Sequence, residues 1–276
     1  DRAMSNEHRS VRIDAEHAPM AELVLLGPGR GNAMGPDFWR ELPTAIAAID
    51  AAADIRALIV RGSGEHFSYG LDLPAMATEI GTLLNDGARG RAEIPALAER
   101  MHRGFAALAS SRVPAIAAID GWCIGAGIEM IAACDLRIAT KSAKFALREV
   151  KVGIVPDLGG LSRLPHLIGD AWTRELALLG DDIDADTALR IGLVTHVVDD
   201  ANALTQEARR LATRLAAHPP LVVAAIKRTM NARIDADVAR INRDAAIQNG
   251  LLMQSEDFAE AMRAFMERRD PSFKGR

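Results

Sequence analysis

Pro114-Ala115-Ile116-Ala117-Ala118-Ile119-Asp120-Gly121-Trp122-Cys123-Ile124-Gly125-Ala126-Gly127-Ile128-Glu129-Met130-Ile131-Ala132-Ala133 is the stretch from which this 276-residue chain is best read. Ala115 to Ile119 is a short apolar run behind a proline, as expected of a buried strand, and Asp120-Gly121 ends it with turn chemistry. Gly125-Ala126-Gly127 leaves backbone N–H groups uncovered, and the apolar run from Ile128 to Ala133 predicts a helix starting at about Ala126. Its orphan donors sit at the positive end of the helix, a setting that suits an oxyanion. Glu129 falls in the first turn among Ile128, Met130, Ile131 and Ala132. It is either a favourable charge facing water at a helix start or a desolvated acid with a raised pKa beside a reactive centre.

The stretch continues through Cys134-Asp135-Leu136-Arg137-Ile138-Ala139, a further strand, and Arg148-Glu149-Val150-Lys151-Val152-Gly153-Ile154-Val155-Pro156-Asp157-Leu158-Gly159-Gly160. A G-x-G-x-E helix start, a C-D-L-R-I-A strand and a second Glu twenty residues after the first occur together. In combination they closely resemble the signature of the crotonase (enoyl-CoA hydratase/isomerase) superfamily, and the likeness runs from about Leu23 to Phe273. Recurring short apolar strands with helices between them predict an α/β fold. The resemblance narrows this to a crotonase-like spiral of ββα turns over residues 11–200, followed by a C-terminal helical region over 201–276. In the family such helices close the acyl-CoA pocket and join subunits, which implies a homotrimer or a dimer of trimers.

Upstream, Glu22 to Leu26 and Ala57 to Arg61 read as strands and Pro36 to about Ala53 as a helix, with Pro43 a site for a kink or break. Phe67-Ser68-Tyr69-Gly70-Leu71-Asp72-Leu73 matches the family's F-x-x-G-x-D-L loop. The resemblance therefore implies that the N–H groups of Leu71 and Ala126 hold a thioester oxygen. It also implies that Arg30, Asn32, Ser68, Tyr69, Gly70, Asp72, Gly125 and Gly127 surround the coenzyme A end. Arg30 or Lys274 is a candidate for meeting phosphate, each equally readable as a plain surface cation. Coenzyme A is part of the substrate, and no separate cofactor or metal is expected.

Thr78 to Arg91 is polar and interrupted by glycine, so it reads as a mobile loop or a poorly formed helix bordering the acyl pocket, with a helix from about Ile94 to Ser110. His66 reads as a solvated loop residue and His102 as a packed or exposed helix residue. After Gly160 a short turn at Leu161 to Leu164 is expected, then helices at Asp170 to Leu179 and Asp184 to Ile191 and a strand at Leu193 to Val198. The remainder reads as helix, broken at His218-Pro219-Pro220 and near Ile234-Asp235.

The chemistry follows from the carboxylates. Glu129 and Glu149 stand where the family's hydratases carry theirs, but those enzymes usually have Gly at position 157, whereas the dienoyl-CoA isomerases of the family have Asp there. The resemblance thus favours moving a proton between C2 and C6 of a 3,5-dienoyl thioester through Glu149 and Asp157, with Glu129 orienting the polyene. The alternative is water addition to a 2-enoyl thioester by Glu129 and Glu149. Two departures stand out: the isomerases carry Asp rather than Glu at position 129, and Ala126 occupies a position where Gly is usual. A hydrolytic reading, Asp157 as nucleophile and His102 as base, leaves both glutamates without roles, and a non-catalytic acyl-CoA-binding protein would not be expected to keep all three acids.

Composition excludes other classes. A net charge of −4 argues against nucleic acid as a partner. Cys123 and Cys134 sit in apolar context and read as reduced, packed thiols of a cell interior. The one membrane-like run, Val113 to Ala133, is interrupted by Asp120, Gly121 and Glu129, so no membrane span is expected. Residues 1–10 are expected to be disordered or foreign to the protein; with no signal peptide in Asp1 to Ser10 and no peroxisomal address in Lys274-Gly275-Arg276, the expected compartment is the cytoplasm.

Overall fold

The computed structural model describes residues 8–27 and 31–276. Arg30 and residues 1–7 of the expected N-terminal tail lie outside the described residues. Arg9 and Ser10 are tied down, since both backbone N–H groups donate to the Glu41 carboxylate at 3.0 and 2.8 Å.

The strands are β1 (Val11–Asp14), β2 (Met20–Leu25), β3 (Ala57–Gly62), β4 (Ala115–Ile119), β5 (Trp122–Ile124), β6 (Leu136–Thr140), β7 (Lys144–Ala146), β8 (Ile183–Asp184) and β9 (His196–Val198). The helices are α1 (Pro36–Ala51), α2 (Leu73–Asn85), α3 (Gly87–Ser110), α4 (Ala126–Ala132), α5 (Gly160–Leu179), α6 (Ala185–Ile191), α7 (Ala201–Ala216), α8 (Pro220–Ala232), α9 (Asp235–Leu252) and α10 (Glu256–Glu267). A 3₁₀ turn covers Glu149–Val152.

Six strands form the main sheet in the order β1-β2-β3-β4-β6-β9, antiparallel between β1 and β2 and parallel elsewhere. A smaller sheet runs β5-β7-β8 and is extended by parallel bridges between Ser68 and Cys123 and between Met34 and Leu71. Each turn of the chain thus places one strand in the main sheet, bends, places a second in the smaller layer and then enters a helix. The sequence β4, Asp120-Gly121, β5, α4 is one such turn. This is the expected spiral.

All five residues of β4 are buried because the main sheet is covered on both faces. Ala115, Ala117 and Ile119 join the large core with α1 and α3, whereas Ile116 and Ala118 join Ala57, Ile59 and Ile138 beneath Leu204, Leu211 and Ala212 of α7. Period-two alternation therefore feeds two cores at once, which explains an unbroken apolar run. Helix α7 departs from the expected role of the C-terminal region, for it covers this chain's own sheet. Helices α9 and α10 do contribute to the pocket described below.

Several local expectations change. Thr78 to Arg91 is helical, shared between α2 and α3, because Asp72 caps α2 by accepting from Ala75 N–H at 3.1 Å and Pro74 fits its first turn. Pro43 lies inside α1 without ending it. Leu161 to Leu164 is the first turn of α5 and not an isolated turn, and α5 bends at Gly169. Among the described residues no helix is long and apolar enough to cross a membrane.

Candidate active site

Gly70 and Gly125 shape one corner of the candidate site. Gly70 has φ +80°, and a Cβ on it would come within 2.6 Å of the Ile124 carbonyl oxygen and 3.1 Å of the Ala126 nitrogen. Only glycine lets the two chain segments approach so closely in that conformation. The N–H groups of Leu71 and Ala126 are thereby brought to one corner, and neither donates to an acceptor among the described residues. Ala126 is the first residue of α4, so its Cβ meets ordinary helical backbone and its departure from Gly costs the donor nothing.

A cavity of about 670 Å³ opens from this corner, and Leu71, Ala126, Glu129, Glu149 and Asp157 all line it. Glu129 is 2% exposed, and its Oε1 accepts from Leu158 N–H at 3.0 Å and from Gly160 N–H at 2.8 Å, capping the N-terminus of α5. Glu149, 8% exposed, opens the 3₁₀ turn and lies against Gly125: a Cβ there would stand 2.9 Å from its Oε1. Its Oε2 is buried and accepts from nothing among the described residues. Asp157 Oδ2 accepts from Asn249 Nδ2 at 2.9 Å, and the same Asn249 exchanges two hydrogen bonds of 2.8 Å with the backbone of Val155.

Three acids so close in a desolvated place do not all ionise together. Burial, then the charges of Glu149 and Asp157, push Glu129 well above the usual carboxylate range, against the pull of its two backbone donors. Burial pushes Glu149 up to about 7, with Asp157 adding to it. Burial likewise raises Asp157 to about 6, and the Asn249 hydrogen bond holds it from rising further. Around neutral pH the group therefore contains both a proton donor and a proton acceptor, the condition for shuttling a proton.

Not every sequence candidate faces this cavity. Tyr69, Asp72 and Gly125 line it. Asn32, Ser68 and Gly127 do not line it, and their side chains or backbone are engaged in the scaffold around it. The Asn32 amide donates to the carbonyls of Ser63 and His66, the buried Ser68 hydroxyl donates to the Asn32 carbonyl, and Gly127 packs against Ser68 and the Cys123 sulfur. Gly70 serves through its backbone angle, and its carbonyl accepts from Met34 N–H. His66 is also corrected: it stacks on Tyr69 with ring centroids 5.0 Å apart, and its Nδ1 accepts from Trp122 N–H at 3.3 Å, so it is partly buried packing and not a solvated loop residue.

His102 lies in a second cavity, behind Asp157, and not in the first. Burial and then Arg163 lower it to about 4, leaving it uncharged. Cys123 and Cys134 are free and buried, and burial raises both thiols, Cys134 to about 12. Sequence reasoning missed Asn249 altogether, and Arg148 as a lining cation. The Arg148 guanidinium sits 5.1 Å from the Trp122 ring centroid and pairs with Asp182. The remaining wall is apolar: Ile80, Ile94, Leu97, Met101, Met253 and Phe265.

Comparison with known proteins agrees with this geometry. The family model described as enoyl-CoA hydratase/isomerase matches residues 16–276. A mitochondrial Delta(3,5)-Delta(2,4)-dienoyl-CoA isomerase of Dictyostelium discoideum is 38% identical over 97% of this chain and 92% of its own. A crotonyl-CoA hydratase of Syntrophomonas wolfei is 34% identical over 92% of this chain and 94% of its own. The crystal structure of an enoyl-CoA hydratase/isomerase from Pseudoalteromonas atlantica superposes with a TM-score of 0.83 at 27% identity, covering 96% of this chain and all of the other. With the spiral, the paired N–H groups and the cluster of acids in place, the chain belongs to the enoyl-CoA hydratase/isomerase family, the crotonase superfamily.

Proposed function

We propose that this protein isomerises 3,5-dienoyl-CoA thioesters to their 2,4-isomers. The observation that carries the reading is Asp157: it lines the same cavity as Glu129, Glu149 and the N–H groups of Leu71 and Ala126, which have no acceptor among the described residues. Two carboxylates suffice to add water across a double bond, whereas the third gives a proton-transfer group at each end of a conjugated chain. The mammalian, plant and slime-mould relatives named as dienoyl-CoA isomerases support the same choice.

In this mechanism the thioester carbonyl accepts from Leu71 and Ala126 N–H. Loss of a proton from C2 then places negative charge on an oxygen that already faces fixed donors, and removing one such donor typically costs about 3 kcal/mol of transition-state stabilisation. Glu149 lies beside Gly125, adjacent to the Ala126 donor, so it takes the C2 proton. The electron pair delocalises through the dienolate, Asp157 delivers a proton to C6, and the double bonds settle at C2 and C4. One proton leaves and one arrives. Glu129, fixed by two backbone donors, shapes the polar floor beneath the conjugated segment.

Spectrophotometry tests the reading directly: purified protein should convert a 3,5-dienoyl-CoA to the longer conjugated 2,4-dienoyl chromophore. Asp157→Asn should abolish that conversion and spare any hydration of 2-enoyl-CoA. Efficient hydration with no action on the dienoyl substrate would assign the protein to the second reading, which the presence of a crotonyl-CoA hydratase among its relatives keeps in play.

We further propose a homotrimer or dimer of trimers, because α8 presents Leu221, Val222, Ile226 and Met230 at 53 to 84% exposure, an apolar stripe that a second copy would cover. Cytoplasm remains our proposal for the compartment, resting on the two free buried thiols; the isomerase relatives are described as mitochondrial or peroxisomal.

A further inference from the structure

Asn249 is 1% exposed, and its amide is fully engaged. Oδ1 accepts from Val155 N–H, while Nδ2 donates both to the Val155 carbonyl and to Asp157 Oδ2. An amide buried this deeply on α9, ninety-two residues from the acid it holds, fixes two things at once: the path of the loop through Val155 to Asp157 and the rotation of the Asp157 carboxyl. Leu158 and Gly160, which immediately follow, donate to Glu129. The loop is therefore pinned on one side by an amide and on the other by a carboxylate.

We infer that Asn249 is a positioning residue of the reaction, acting through Asp157 by keeping one of its oxygens on a fixed N–H donor. The inference rests on the reading of Asp157 as an acid–base group. An N–H donor stabilises the carboxylate over the carboxylic acid, so Asn249 lowers the pKa of Asp157, and it holds the carboxyl in the orientation from which a proton reaches C6. Isomerisation needs the Glu149–Asp157 pair singly protonated: below both pKa values no base remains, above both no acid does. With the two groups at about 7 and about 6, the rate follows a bell over that window. Loss of the donor raises Asp157, the lower of the two, and carries the acid limb upward.

Other charged groups share the space. Glu129, Arg148 and Asp72 line the front cavity, while His102, Arg163 and Asp235 line the cavity behind Asp157. His102, held at about 4, keeps one charge state across the window. It therefore does not supply either limb.

Asn249→Asp keeps an acceptor for Val155 N–H but removes the donor, and Asn249→Ser removes it without adding a charge. Both are expected to lower kcat about tenfold and to move the acid limb up by somewhat less than one pH unit, with product binding near wild type and a melting temperature lowered by the lost bonds to Val155. A second readout separates action through Asp157 from general disturbance. In an Asp157→Asn background Glu149 still exchanges the C2 hydrogen with deuterated water, and adding Asn249→Ser should leave that exchange rate unchanged. An unmoved acid limb in both single variants, or a further loss of C2 exchange in the double variant, overturns the inference alone. Full isomerase activity in Asp157→Asn would overturn the functional reading itself, and the inference with it.

Discussion

The two walls of the main cavity are made in different ways. One is built from residues 69–73 and 122–160, where tight turns between the two sheets bring backbone donors and acids together within a short length of chain. The other is built by α3, α9 and α10, which bring Met101, Asn249, Met253 and Phe265 from remote positions. The first wall carries the acids and the backbone donors and allows few substitutions at them, because these groups act at fixed distances. The second is apolar apart from Asn249, and its side chains act by excluded volume and burial, which tolerate exchange. Chemistry should therefore fail on the first wall and selectivity should drift on the second.

Glu149→Gln is the most severe way to test that contrast. It keeps the shape of the side chain but removes the proton acceptor at C2, and general-base loss costs roughly 10³-fold in rate. Initial rates of dienoyl conversion check it. A loss of less than tenfold would mean that C2 deprotonation does not pass through Glu149 and that the first wall is less specialised than its geometry indicates.

Gly125→Ala should come next, at roughly 10²-fold. The added Cβ would lie 2.9 Å from Glu149 Oε1, in a backbone conformation of φ +54° that side chains rarely adopt. The variant pushes the carboxylate from its place and strains the turn by about 1–2 kcal/mol. Steady-state rates together with a melting curve distinguish the two contributions: misplacement lowers kcat beyond what any loss of folded protein explains.

These residues were legible because their signal is local. Strand, turn, glycine pair and helix follow one another between Pro114 and Ala133, and each element's chemistry can be named without knowing what packs on it. Asn249 carries no such signal. It sits in an ordinary helical run, and nothing near it in sequence reveals that Asp157 is its neighbour. Thr78 to Arg91 was obscured for a related reason: Gly81, Gly87 and Gly90 depress local helix propensity, but the Asp72 cap and the burial of Met76, Ile94 and Leu97 outweigh that deficit. Leu161 to Leu164 became helical through the Glu129 carboxylate, 31 residues upstream of the Gly160 N–H it accepts from, capping α5. The same distance effect hid the scaffold roles of Asn32 and Ser68, whose polar atoms are consumed by neighbouring loop backbone.

The acid cluster should also leave a mark on stability. Folding raises the pKa of Glu149 and Asp157, so the folded state binds protons more tightly than the unfolded chain between about pH 4 and pH 7. Their contribution to stability is thus present at low pH, declines as pH rises through the folded pKa values and is constant above them. Glu149→Gln removes part of that dependence and should be about 2 kcal/mol more stable than wild type at pH 8.5, relative to the difference between them at pH 5. Denaturant melts at the two pH values measure it. Equal differences at both would mean that the first wall is not under the electrostatic strain its burial implies.

Met253→Ala should have the smallest effect on the chemistry, and it probes the other wall. Met253 is 9% exposed at the end of α9 and lines the apolar side of the cavity. Truncation opens space where the proposed function puts acyl carbons, and each buried methylene contributes about 0.8 kcal/mol, close to a fourfold change in kcat/KM per carbon. The preferred chain should lengthen by roughly one to two carbons, while kcat at the new optimum stays within about threefold of wild type. Rates across a series of dienoyl chain lengths decide it. A uniform fall at every length would mean that this wall also sets the geometry of the acids, through α9 and Asn249, and the division between a catalytic wall and a permissive one would then be drawn between α3 and α9, not between the spiral and the helices.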